Sequence, residues 1–228
     1  MKPLIAIVNE STKVSDADVQ RWMAAEQQQV SGDFAPIWDT DAQLECVPRG
    51  VTVPVGTWQL VLLDDSDQAN ALGYHELTAN GDPLGKAFIA SDIADGVAWS
   101  VTASHELLEM LGDPQINRTI EVDGQDGSIK FYALEVCDAC ESDSCGYRVD
   151  DVLLSDFVTP AWFMLGGAAP FDRCRKATAP LQILPDGYIS IFDGQEWAQI
   201  FGQRGNSSPL YRIPRGCRRW RRNLPDLS

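Results

Sequence analysis

An α+β domain, with one helix packed on a mixed, twisted sheet, is predicted by three observations. Short apolar runs separated by Pro, Gly, Asn and Asp fill the first half of the chain. One strongly amphipathic helix follows at about 99–112. Beyond it the pattern turns irregular, so an irregular C-terminal part is expected.

Taken in order, residues 3–9 form an apolar first strand, and Ser15-Asp16-Ala17-Asp18 opens a helix with acids in its first turn that runs to about Val30. Apolar runs at 44–47, 58–63, 72–77 and 86–91 are strands of one sheet. The Asn80-Gly81-Asp82-Pro83 turn makes the last two of these hairpin partners, so the sheet is mixed. Residues 99–111 give the clearest helix, closed by Gly112 and stopped by Pro114. Residues 123–127 are a loop, 131–137 a strand and 152–163 an extended segment; Gly166-Gly167 and Asp193-Gly194 are turns rather than phosphate loops. No internal repeat or low-complexity tract interrupts the chain. Residues 1–200 are therefore taken as one domain and 201–228 as a tail.

The 228 residues are 44% hydrophobic and 22% charged, ordinary values for a globular chain able to bury a core. A net charge of −15 argues against nucleic acid as a partner, because a phosphate backbone calls for a basic surface. The charge is uneven. Seven arginines (204, 212, 215, 218, 219, 221, 222) face one acid, Asp226, beyond residue 200, so the tail carries +6 and the remainder −21. Such a tail either packs on the acidic body or supports assembly with another protein. The N-terminal apolar run is too short for a signal peptide, and no stretch approaches the roughly 20 apolar residues of a membrane span. A chain made in the cytoplasm, without a membrane partner, is the expectation. Cys137, Cys140 and Cys145 are spaced for a local bridge or a metal clip but lack an obvious fourth ligand, and reduced thiols are the default.

The helix carries the chemistry. With His105 at 0°, Glu109 falls at about 40°, Thr102 at about 60°, Glu106 at about 100° and Gly112 at about −20°, one polar arc, while Leu107, Leu108, Met110 and Leu111 occupy the opposite side. The arc is expected to face water or a cleft. His105 and Glu109, four residues apart, can reach one ion, and Glu106 beside them has the offset of a general base. Zinc is the first expectation, as in H-E-x-x-H zinc enzymes, but a carboxylate in place of the second histidine adds negative charge and admits harder metals such as calcium or manganese. A merely solvated helix face is the plain alternative.

Ser104-His105-Glu106-x-x-Glu109-x-x-Gly112-Asp113-Pro114, followed by Glu135-Val136-Cys137-Asp138, resembles the zincin clan of metallopeptidases. More narrowly it resembles a bacterial and phage group with the H-E-x-x-E motif, with a looser echo in plant Exordium-type proteins. The likeness covers about residues 58 to 163 in the order of elements, and its specific part is the two short motifs. It implies a zincin-like fold, His105 and Glu109 as metal ligands, Glu106 as general base, and a third ligand after the helix. Gln115 stands where metzincins carry a third histidine, so Asp138 and Glu135, followed by Asp113, are the candidates. His75 lies on a strand ahead of the helix, where it would complete the metal shell or steady an oxyanion; the alternative is a surface histidine on an edge strand.

Two functions are expected. The first is a metal-dependent hydrolase, a peptidase acting on a peptide or protein, in which Glu106 deprotonates a water held by the ion. The second is a non-catalytic zincin-fold structural or interaction protein, such as a virion-associated phage component, that keeps a structural ion or a lapsed site. A serine hydrolase is disfavoured, because neighbouring Ser104 and His105 point in different directions.

Overall fold

The computed structural model describes residues 2–68, 71–123, 128–202 and 211–213. The protein is α+β. A first sheet takes β1 (Leu4–Asn9), β2 (Gln43–Val47), β3 (Trp58–Leu63), β4 (Gly73–Leu77) and β5 (Pro83–Phe88) in the order β2-β1-β3-β5-β4. Its first four strands in that order run parallel, and β4 is an antiparallel edge paired to β5. The turn at Gly81, in the left-handed region at φ +85°, joins the two, as the Asn80-Gly81 signal predicts.

The helix α1 (Asp16–Gln28) opens with a capping box between Ser15 and Asp18. It does not end at Val30. A π-helical stretch, Gln29–Phe34, carries the chain into a short α2 (Ala35–Trp38). Gln29 explains the local unwinding in part: its buried amide donates to the Ser155 carbonyl oxygen at 2.8 Å and accepts from the Ser104 hydroxyl at 2.7 Å. The expected strand at 86–91 also shifts. Pro83 starts β5, a position where the missing N–H costs no ladder bond, and Ile89–Asp95 instead form a short helix, α3, closed by Gly96 at φ +73°.

The helix α4 (Trp99–Gly112) packs against β4, β5 and β3 and touches α1 through Trp22, whose indole N–H donates to the Ser100 carbonyl at 3.0 Å. Its polar arc does not face water. Every residue from Val101 to Gly112 is buried, because the apolar side meets the core while the polar side meets the sheet edge and a later chain segment.

The C-terminal half is irregular over residues 155–187, which hold only a 3₁₀ turn and one isolated bridge, but is otherwise built of strands. Five antiparallel strands, β6 (Thr119–Asp123), β7 (Ile129–Ala133), β10 (Tyr188–Phe192), β11 (Trp197–Phe201) and β12 (Tyr211–Ile213), form a second sheet in the order β12-β11-β10-β7-β6. The Asp193-Gly194 turn joins β10 to β11, with Gly194 at φ +94°. A two-stranded hairpin, β8 (Tyr147–Val149) with β9 (Val152–Leu154), lies between. The strand expected at 131–137 stops at Ala133, and the extended segment at 152–163 ends in a 3₁₀ turn at Pro160–Phe163. Of the basic tail, the backbone of β12 pairs with β11; its remaining arginines lie outside the described residues. No helix among the described residues is long and apolar enough to cross a membrane.

Candidate metal centre

Three elements converge on one buried point. Strand alternation turns Gly73, His75 and Leu77 of β4 toward α4, while Tyr74 and Glu76 face the other way, with Lys86 bonded to Glu76 at 2.8 Å. The helix supplies His105, Glu106 and Glu109. The chain leaving β7 supplies Glu135 and Asp138, the latter opening a 3₁₀ turn, Asp138–Cys140. Gly112 lets this segment approach, since a Cβ there would stand 3.0 Å from Val136 Cγ1.

The six side chains are nearly sealed: His75 is 1% exposed, His105 8%, Glu106 6%, Glu109 3%, Glu135 2% and Asp138 2%. His75 is thus no surface histidine. Its Nδ1 lies 3.6 Å from both Glu106 Oε2 and Glu109 Oε2, and its Nε2 lies 3.7 Å from Glu135 Oε2. His105 Nε2 lies 3.3 Å from Glu109 Oε1 and 3.3 Å from Asp138 Oδ1. The Cys137 backbone N–H donates to Glu109 Oε1 at 3.3 Å, fixing that carboxylate between the two imidazoles.

Two sets of side chains bring one ligand atom each to within 4.8 Å of one another: His105, Glu109 and Asp138, and His75, Glu109 and Glu135. Imidazole and carboxylate donors of this kind suit zinc, manganese and related divalent ions. The electrostatics fit a cation. Burial raises Asp138 to about 7, and repulsion from Glu109 adds to this against the opposing pull of His105 and Tyr188. Burial alone would lower the His105 imidazole, but Glu109 and Asp138 outweigh it and hold the ring well above its usual range. Glu141, not anticipated from the sequence, joins the edge of this field; burial lifts it to about 8 against the attraction of His105.

Asp113 is not brought into either set. Its carboxylate accepts from the backbone N–H groups of Asn117 at 3.1 Å and Arg118 at 2.9 Å, so it closes the loop after α4. Ser104 faces the core on the far side of the helix, hydrogen-bonded to Gln29, and accepts from the Ser155 N–H at 3.2 Å. Cys137, Cys140 and Cys145 are buried free thiols in the core, and neither set includes them.

Glu106 is seated against Gly73 of the sheet. A Cβ on Gly73 would stand 2.7 Å from Glu106 Oε1, 2.8 Å from its Cγ and 2.9 Å from Thr102 Cγ2. A Cβ on Gly85, the partner of His75 across the β4–β5 ladder, would meet Leu60 Cδ1 at 2.8 Å and touch Glu106 Cβ only at an ordinary 3.7 Å. A Gly73→Ala substitution should therefore push Glu106 out of place and destabilise the fold by about 1–3 kcal/mol, as overpacking of a tight contact does. Denaturant unfolding measures this; an unchanged midpoint would show that Glu106 is free to yield.

No family model, curated protein or solved structure matches this chain. The functional reading therefore rests on the geometry itself.

Proposed function

We propose that the protein is a metal-dependent hydrolase of the zincin type, a peptidase with Glu106 as general base. The observation that carries this reading is the meeting of His105, Glu109 and Asp138, all buried, with Glu106 one helical step away. An antiparallel edge strand beside a helix that carries H-E-x-x-E supports a zincin-like arrangement. A divalent ion, zinc first, would supply Lewis acidity there and lower the pKa of a water. The chain's own residues do the rest. His105, Glu109 and Asp138 would hold the ion, Glu106 would take the proton from the attacking water, and His75, held among Glu106, Glu109 and Glu135, would steady that arrangement from the sheet edge.

Elemental analysis of protein purified without chelator or affinity metal tests the reading. At least one equivalent of divalent metal per chain, falling by one equivalent in His105→Ala, is the expected result; a metal-free wild type overturns it. Proton competition gives the site a second signature. Asp138 (about 7) and the raised His105 must both release protons to bind an ion, so affinity should rise steeply from pH 5 to pH 8, by up to about tenfold per pH unit for each proton released. Titration calorimetry at several pH values reads this directly.

One observation favours the second function, a structural or assembly protein that keeps its ion without turnover. The six side chains are almost closed off from solvent, and two surface hollows, around Asp33 and around Trp58, include none of them. A Glu106→Gln variant distinguishes the two.

A further inference from the structure

The two sets of ligating side chains share one residue, and the way they share it is specific. Glu109 turns Oε1 to His105 Nε2 at 3.3 Å and Oε2 toward His75 Nδ1 at 3.6 Å, so each carboxylate oxygen addresses a different imidazole. Each imidazole has a further carboxylate beside it: Asp138 lies 3.3 Å from the same His105 Nε2, and Glu135 lies 3.7 Å from the other ring nitrogen of His75, Nε2. A single His75 nitrogen also has oxygens of both Glu109 and Glu135 within 4.8 Å. Asp138 Oδ1 is buried and makes no hydrogen bond, although it faces the His105 nitrogen. Once the His105 ring has given up its proton, two lone pairs face each other across this gap, a place that a cation would fill.

We propose that the centre binds two divalent cations bridged by the Glu109 carboxylate, one held with His105 and Asp138 and the other with His75 and Glu135. This rests on the metal-site reading above and goes beyond it, since a zincin-type hydrolase needs only one ion. Charge supports two. As ligands the imidazoles are neutral, and the four carboxylates Glu106, Glu109, Glu135 and Asp138 then carry four negative charges out of water, the amount two divalent cations offset. A bridging carboxylate is also the usual link in two-metal hydrolytic sites, where the ions stand about 3.5–4 Å apart. Glu106 Oε2 lies 3.6 Å from His75 Nδ1, which puts the general base next to the second position.

Titration of the chelator-treated full chain with Mn(II), followed by elemental analysis and by electron paramagnetic resonance, tests the proposal. The expected result is two Mn(II) per chain with an exchange-coupled signal in place of the six-line spectrum of an isolated ion. His75→Ala and His105→Ala should each bind one Mn(II), with the six-line spectrum restored. The wild-type count and spectrum stand whether or not the variants fold. One Mn(II) per chain in the wild type, or two without coupling, overturns the two-ion centre. In the one-ion case, retention of hydrolysis leaves the hydrolase reading standing. Absence of any bound Mn(II) or Zn(II) overturns both.

Discussion

Glu106→Gln should lower kcat on a peptide-mixture substrate by about 10²- to 10⁴-fold while metal content, fold and KM stay near wild type. The substitution is nearly isosteric, and the tight seat against Gly73 holds the side chain where it stands, so the amide occupies the place of the carboxylate. What it loses is basicity. A general base contributes only in the transition state, so kcat and kcat/KM should fall together, whereas a residue that merely helped to bind substrate would raise KM alone. Mass-spectrometric mapping of cleavage products over time gives the rate for each peptide in the mixture that is cut. Equal rates in variant and wild type would remove Glu106 from the chemistry. Absence of cleavage in both, with the metal present, would favour the structural function.

The elements that frame the site were legible where a local signal acts alone. The strand β3 matches its expected bounds, and α4 differs from them by one residue, because Leu107, Leu108, Met110 and Leu111 on one side and Gly112 with Pro114 at the end define a helix without help from the rest of the chain. The burial of its opposite face was not legible. Amphipathicity marks His105, Glu106 and Glu109 as polar and so as facing water or a cleft, and it is the sheet edge and the 134–138 segment, remote in sequence, that close over them. His75 illustrates the same limit: nothing around it selects the inner face of β4 until β5 fixes the register opposite Gly85. Tyr188–Phe192 and Trp197–Phe201 alternate around Asp193-Gly194 and carried a hairpin signal that the turn alone did not bring out. Asp113 looked like a third ligand from its place past Gly112; the backbone donors of Asn117 and Arg118 take its carboxylate instead.

Away from the site, Glu26→Gln should make the protein more stable at alkaline pH, by a few kcal/mol at pH 8 and above. Glu26 lies on the core face of α1 with no exposed surface, and burial raises its carboxyl to about 8, with a smaller lowering from the Ser104 hydroxyl. The hydroxyl proton itself goes to Gln29 at 2.7 Å. The folded state thus prefers the protonated acid, while the unfolded chain ionises at an ordinary glutamate value near 4.5. The stability attached to Glu26 is therefore complete below about pH 4.5, declines by about 1.4 kcal/mol per pH unit as pH rises, and levels off above about 8. Glutamine keeps the shape and has no proton to lose, so its variant lacks this decline. Asp92 and Asp156, each raised to about 7 by burial, impose similar slopes on both proteins, so the difference between the two curves isolates Glu26. Chemical denaturation from pH 4 to pH 9 is the measurement: curves that meet at low pH and diverge toward pH 8 are expected, and parallel curves would mean that Glu26 ionises as readily inside the fold as outside it.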